Sequence, residues 1–184
     1  MLIRRVVTGH DGNGRSVLLS DGPAPHAVAF ESIPGHAFAR VWATGGCPVL
    51  PAGGTDPTEG QTKLLPAPGG TSFLIVTFPP DSTMNAPGFD SVAAARECAG
   101  RMPDLACTFE PACPGMHTTD TVDYAIVLSG EVWLEVDDGS ETLLRPMDVV
   151  VQQGTRHAWR NKSDAPAVVA FFMIGASRQS EAAR

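Results

Sequence analysis

Short apolar runs follow one another along the chain, separated by clusters of Gly, Pro, Asn and Asp. Residues 3–7 (IRRVV) and 15–20 (RSVLLS) flank the turn-forming stretch TGHDGNG and predict a hairpin. Phe38 to Ala43 alternates, with Phe38, Arg40 and Trp42 on one face of a third strand. Thr44 to Gly70 is rich in Gly and Pro and poor in large apolar residues. It predicts a long surface loop, either a flap over a barrel mouth or a segment without function. Thr71 to Phe78 is a strong strand signal that Pro79-Pro80 stops. Asp90 to Gly100 predicts the one clear helix, capped by Asp90 or Ser91 and ended by Gly100.

Further strands are expected over 107–110, 116–119, 122–128, 131–136, 141–145, 148–152, 156–160 and 166–174. Gly130 and Asp137-Asp138-Gly139 mark hairpin turns. Strands at this spacing predict an all-β sandwich or barrel. The expected organisation is one domain. Residues 1–80 are strands and a Gly/Pro-rich loop packed on a barrel, 81–106 a helical excursion, 107–176 the barrel core and 177–184 a polar tail.

Composition narrows the function classes. A chain of 184 residues is long enough for one domain with a sizeable core. A charged content of 18% against 43% hydrophobic is globular, and 19 Gly with 16 Pro suit a turn-rich β protein. The net charge of −7 gives no electrostatic reason to bind nucleic acid or an anionic membrane. No apolar run approaches the ~20 residues of a membrane span, and the N-terminus lacks the apolar core of a signal peptide. The four cysteines form no C-x-x-C pair, so a cytoplasmic protein with reduced thiols is expected. A homodimer is the expected assembly, since symmetric dimers are the commonest oligomers.

The candidate chemistry lies between Pro114 and Asn161. His117 and His157 sit near the ends of this stretch, and Asp123 follows His117 by six residues. Residues two apart in a strand share a face, so His117, Thr119 and Asp123 point one way, and His157 pairs with Trp159. If the strands curl into a barrel, His117, Asp123 and His157 meet inside it. Two imidazoles and one carboxylate leave open positions on an iron-type metal. The expected cofactor is therefore a divalent transition metal, Fe, Mn, Ni or Zn, with Thr119 orienting a bound water and Trp159 as an apolar wall. The same residues also serve a metal-free pocket in which His157, paired with Asp123, acts as a general base. Trp42 and Arg40 complete the expected substrate pocket, with Arg40 available to a substrate carboxylate. The alternatives are a core place for Trp42 and an edge-strand charge for Arg40. His10, His26 and His36 fall in expected loops and are read as solvent-exposed.

The spacing His117-x-Thr119-x3-Asp123-x6-Gly130, followed by Gly154-x2-His157-x3-Asn161, resembles the two motifs of the cupin superfamily. The likeness implies a double-stranded β-helix, or jelly-roll, barrel with an N-terminal β extension and one short helical excursion. The chain departs from the pattern at four residues and in its spacing, which is one residue short before Gly154. Thr119 stands for the second histidine, Asp123 for a glutamate, Met147 for the entry glycine of the second motif, and Gln152 for its proline. In metal-binding cupins the motif histidines and glutamate hold the ion. The resemblance therefore implies His117, Asp123 and His157 as ligands, with one ligand lost. The phrases MHTTDTVDY, VLSGE and QQGTRHAWRN are similar to a subgroup of small cupins near polyketide pathway genes, some described as cupin-domain oxidoreductases. That likeness implies O2-dependent oxidation or carbonyl chemistry on an aromatic or polyketide-like small molecule. A cyclase or dehydratase without metal, and a non-catalytic ligand-binding barrel, remain the alternatives.

Overall fold

The structure, a computed structural model, describes residues 2–59 and 63–179. A six-stranded antiparallel sheet forms one wall. It runs in the order β3 (His26–Ala29), β4 (Ala37–Thr44), β5 (Thr71–Phe78), β11 (Ala167–Gly175), β6 (Thr121–Ser129) and β9 (Val149–Gln153). The facing wall holds β10 (Ala158–Arg160), β7 (Val132–Glu135) and β8 (Glu141–Leu144). The expected strands at 107–110 and 116–119 reduce to two bridges, Phe109 to His117 and His117 to His157, which extend this smaller wall beyond β10. Pro111, Pro114 and Gly115 deny the segment a continuous ladder. The two walls make the barrel that the strand pattern allows and the jelly roll that the cupin resemblance implies. The large wall joins distant parts of the chain, with β11 lying between β5 and β6.

Alternation decides which side chains enter the barrel. Thr121, Asp123, Ala125 and Val127 of β6 are buried, while Tyr124 and Leu128 are exposed. Val127, Val132, Ala167 and Val169 pack where the two walls close on each other. Complete burial of an aliphatic side chain is worth roughly 1.5–3 kcal/mol, so this closed end anchors the barrel. Gly130 turns β6 into β7 at φ 74°, and a Cβ there would stand 2.5 Å from the Pro166 carbonyl oxygen. The motif glycine is therefore demanded twice, by conformation and by space.

β1 (Arg4–His10) and β2 (Ser16–Pro23) form the expected hairpin. It lies against the outside of the large wall, where Ile3 packs on the cluster of Val41, Ile75 and Ala170. Arg5 ties it down through an ion pair with Asp56 and a place over the Trp42 ring, 5.4 Å from the centroid. This corrects the expectation for Trp42. The β4–β5 register slips between Arg40 and Trp42, so Arg40 pairs with Leu74 while Trp42 pairs with Phe73. A bulge reverses strand alternation, and Trp42 faces out of the barrel rather than into a pocket.

The segment between β5 and β6 carries α1 (Ser91–Arg101) and the short α2 (Pro103–Ala106). Asp90 caps α1 by accepting hydrogen bonds from the amides of Val92 (3.0 Å) and Ala93 (2.9 Å). The helix passes Gly100 and stops at Met102, because Pro103 cannot continue it. Of the Gly/Pro-rich loop, residues 60–62 lie outside the described residues, as do 180–184 of the polar tail. Beyond the gap, Leu64 is buried at the barrel's open end, and Asp104 of α2 accepts a hydrogen bond from the Leu65 amide (2.7 Å). Among the described residues no helix is long and apolar enough to cross a membrane.

Candidate functional site

The open end of the barrel encloses a cavity of about 320 Å³. Its walls are mainly apolar, with Phe78, Phe109, Trp159 and Phe171 among them. His117, Thr119, Asp123 and His157 supply polar atoms. The expected groups therefore do meet at one cavity, and the way each is held defines what it can do.

His117 and His157 are a hydrogen-bonded antiparallel pair, each amide donating to the other's carbonyl at 2.9 and 3.0 Å. Their rings consequently stand side by side, with centroids 4.3 Å apart. His117 Nδ1 lies 3.0 Å from the Gly115 carbonyl oxygen, and His157 Nδ1 lies 2.9 Å from that of Thr155. A carbonyl only accepts, so each Nδ1 carries the proton and each Nε2 presents a lone pair. Burial holds both imidazoles neutral. His157 is lowered to about 4 by burial and by the neighbouring His117, and His117 is lowered chiefly by burial.

Asp123 comes from the opposite wall, since the chain crosses from the His117 bridge to β6 between Thr119 and Thr121. It is 5% exposed, and its Oδ1 is buried without a hydrogen-bond partner. Burial lifts its pKa from 3.8 to about 6, offset in part by a hydrogen bond from Thr121. Thr119 stands where the family motif has its second histidine. Its hydroxyl lies 2.8 Å from that of Thr121, which completes a hydroxyl chain to Asp123.

A divalent metal fits this donor set only in part. The two imidazoles are prepared as metal-ligating histidines usually are, with Nδ1 fixed by a carbonyl and Nε2 free. The third donor does not converge: among the described residues no group of three His, Cys, Asp or Glu lies close enough to hold an ion. Asp123 shares the cavity with the histidines across the barrel without joining them in a ligand cluster.

The remaining sequence candidates divide. Trp159 lines the cavity with its ring edge-on to His157, centroids 6.3 Å apart. Arg40 is buried, unlike an edge-strand charge, but is not among the residues that line the cavity, and the charge of Asp104 acts on it. Arg156, one residue from His157, points outward to Glu110 and Asp137. Two histidines expected in exposed loops are placed otherwise: His26 opens β3 with its Nε2 buried, and His36 bears on the site. It lines the cavity instead of facing solvent, and the signal was available, because His36 shares the parity of Phe38 in β4.

No family model matches the chain. Phomopsin biosynthesis cluster protein C′ of Diaporthe leptostromiformis is 30% identical over 86% of the chain and 70% of its own length. The cupin-domain-containing oxidoreductase srdB of Neurospora crassa is 25% identical over 92% of the chain and 72% of its length. The chain belongs to the cupin superfamily. Another such relative, the cupin-domain-containing oxidoreductase fogC of Aspergillus ruber, is 26% identical over 85% of this cupin and 63% of its own length. Among solved structures, a cupin 2 conserved barrel domain protein from Salinispora arenicola covers 81% of this cupin and 87% of its own chain. It shares 14% identity at a TM-score of 0.40.

Proposed function

We propose that this cupin is an enzyme that moves protons on a mainly apolar, oxygen-bearing small molecule held in the barrel cavity. Asp123 takes a proton from a carbon beside a carbonyl and returns it to a neighbouring carbon or oxygen, so the net change is an isomerisation, cyclisation or dehydration. His157 and His117 accept hydrogen bonds at Nε2 from substrate hydroxyls, and Trp159 packs on the apolar part. One observation carries the reading. A buried carboxylate with an unpartnered oxygen stands on the wall of an apolar cavity, opposite two imidazoles that offer lone pairs. A pKa near 6 keeps such a group able both to accept and to release a proton near neutral pH.

A second reading is metal-dependent oxidation. It is supported by relatives named as oxidoreductases and by the two prepared imidazoles. In that reading a bound Fe, Mn, Ni or Zn supplies Lewis acidity or O2 chemistry, with His117 and His157 holding it. The test follows deuterium uptake from D2O into 2-tetralone, together with the metal content of the purified protein. The proton-transfer reading expects catalysed exchange that a chelator leaves intact, and a loss of about 100-fold or more in Asp123→Asn. Exchange abolished by chelator and restored by one metal would replace it with the metal-dependent reading. A homodimer, supported by the exposed apolar side chains of Tyr124, Leu128, Val149 and Val151, would sediment at twice 19.3 kDa.

A further inference from the structure

His36 lies outside both motifs, yet it is fixed more firmly than a packing residue needs. Its amide donates to the Ile33 carbonyl (3.0 Å), and its carbonyl accepts from the Phe30 amide (3.0 Å). Its ring Nδ1 lies 2.9 Å from the Thr77 carbonyl oxygen of β5. The loop before it is clamped to α1, where the Glu97 carboxylate accepts the amides of Glu31 (3.0 Å) and Ser32 (2.7 Å). Phe30 packs on the imidazole with centroids 4.6 Å apart. Three elements thus hold one side chain at the cavity wall.

The chemistry of the free edge follows from the held one. Nδ1 faces a carbonyl and carries the proton, so Nε2 is an acceptor. Among the described residues Nε2 has no hydrogen-bond partner, and it is not sealed from the cavity. Burial favours the neutral ring, which keeps that lone pair available. The position is equally informative. One wall runs from His157 to Trp159, to Phe78 and to His36, each ring 6.1–6.4 Å from the next. His36 is therefore separated from the His117–His157 pair by two apolar rings.

We propose that His36 is a specificity-determining residue: its Nε2 accepts a hydrogen bond from a hydroxyl of the substrate, remote from the reacting atoms. The substrate class is then a flat apolar molecule with a donor hydroxyl, set against the Trp159–Phe78 wall between two polar ends. An ether or a carbonyl at that place offers no proton and leaves Nε2 desolvated without a partner. The inference rests on the reading of the barrel cavity as the substrate site.

The test compares 2-naphthol with 2-methoxynaphthalene, which differ in the donor, by calorimetry on the full chain. The wild type binds the naphthol about five- to tenfold more tightly, the worth of one neutral hydrogen bond. His36→Phe binds both alike. His36→Gln, which keeps an acceptor, retains a preference for the naphthol and guards against misfolding of the Phe variant. The naphthol also quenches tryptophan fluorescence in the wild type, and Trp159→Phe loses the quench at naphthol concentrations that calorimetry shows to saturate the variant. A preference that survives in His36→Phe overturns the role of His36, with the cavity reading intact. A quench unchanged by Trp159→Phe places the ligand elsewhere and overturns the cavity reading itself. Failure of the wild type to prefer the naphthol overturns the proposal as well.

Discussion

Replacing Asp123 by Asn should stabilise the fold while it disables the site. An ionised carboxylate at this position has surrendered its hydration with only the Thr121 hydroxyl in return, and the pKa rises from 3.8 to about 6. The folded state therefore holds the proton more tightly than the unfolded chain. Below about pH 4 the group is protonated in both states and costs nothing. The cost grows as pH rises through that interval and is complete above about pH 6. A displacement of this size corresponds to about 3 kcal/mol. Asparagine cannot ionise, but its amide keeps one buried group short of a partner, at a cost of about 1–2 kcal/mol. The net gain at pH 8 is about 1–2 kcal/mol, or roughly 2–8 °C in Tm for a chain of this length. Urea unfolding of parent and variant at pH 4, 6 and 8, followed by tryptophan fluorescence, measures it. The gain should fall with pH and reverse by pH 4, where the variant is about 1–2 kcal/mol less stable than the parent, while the deuterium exchange proposed above is lost at every pH. A difference that is constant across pH, or a variant less stable at pH 8, would refute the argument that Asp123 ionisation strains the fold.

Three other substitutions test the scaffold. Met147 occupies φ 76° and is 81% exposed, so Met147→Gly relieves a left-handed backbone with little packing lost. It should raise stability by about 1 kcal/mol in a denaturant titration. Gly130→Ala meets backbone atoms, whereas Gly14→Ala, at φ 77°, meets nothing within 4 Å. Gly14→Ala should cost only the left-handed strain of about 1–2 kcal/mol, and Gly130→Ala should cost clearly more in the same thermal melt. Asn161 is 1% exposed and donates to the carbonyls of Phe78 (2.9 Å) and Ala165 (2.8 Å) while accepting from Ser163. Asn161→Ala should lower stability by about 2–4 kcal/mol, and a loss below about 0.5 kcal/mol on denaturant unfolding would remove its structural role.

Those positions show how the family pattern is divided between chemistry and architecture. Asn161 and Gly130 work for the fold. Met147 keeps the backbone conformation of the glycine that the second motif usually has, at the expense of strain. Thr119, in place of a histidine, has become a link in a hydroxyl chain rather than a gap.

The barrel was legible in the sequence because strand alternation and turn residues are local signals. Periods of two, glycines at Gly130 and Gly139, and the Pro79-Pro80 stop are enforced by neighbouring residues alone. The presence of His117, Thr119, Asp123, His157 and Trp159 at one cavity was legible from the motif spacing, with parity holding within each short segment. Tertiary structure decided what parity could not. A bulge between Arg40 and Trp42 sent the tryptophan outward, because one slipped residue inverts every face that follows. The crossover after Thr119 put Asp123 on the wall opposite the histidines, so the carboxylate shares their cavity without joining them in a ligand cluster. His36 reached the cavity through Thr77 and Glu97, contacts that link residues far apart in sequence. The pKa displacements of Asp123 and His157 arise from burial. Burial is a property of the closed barrel and of no segment within it.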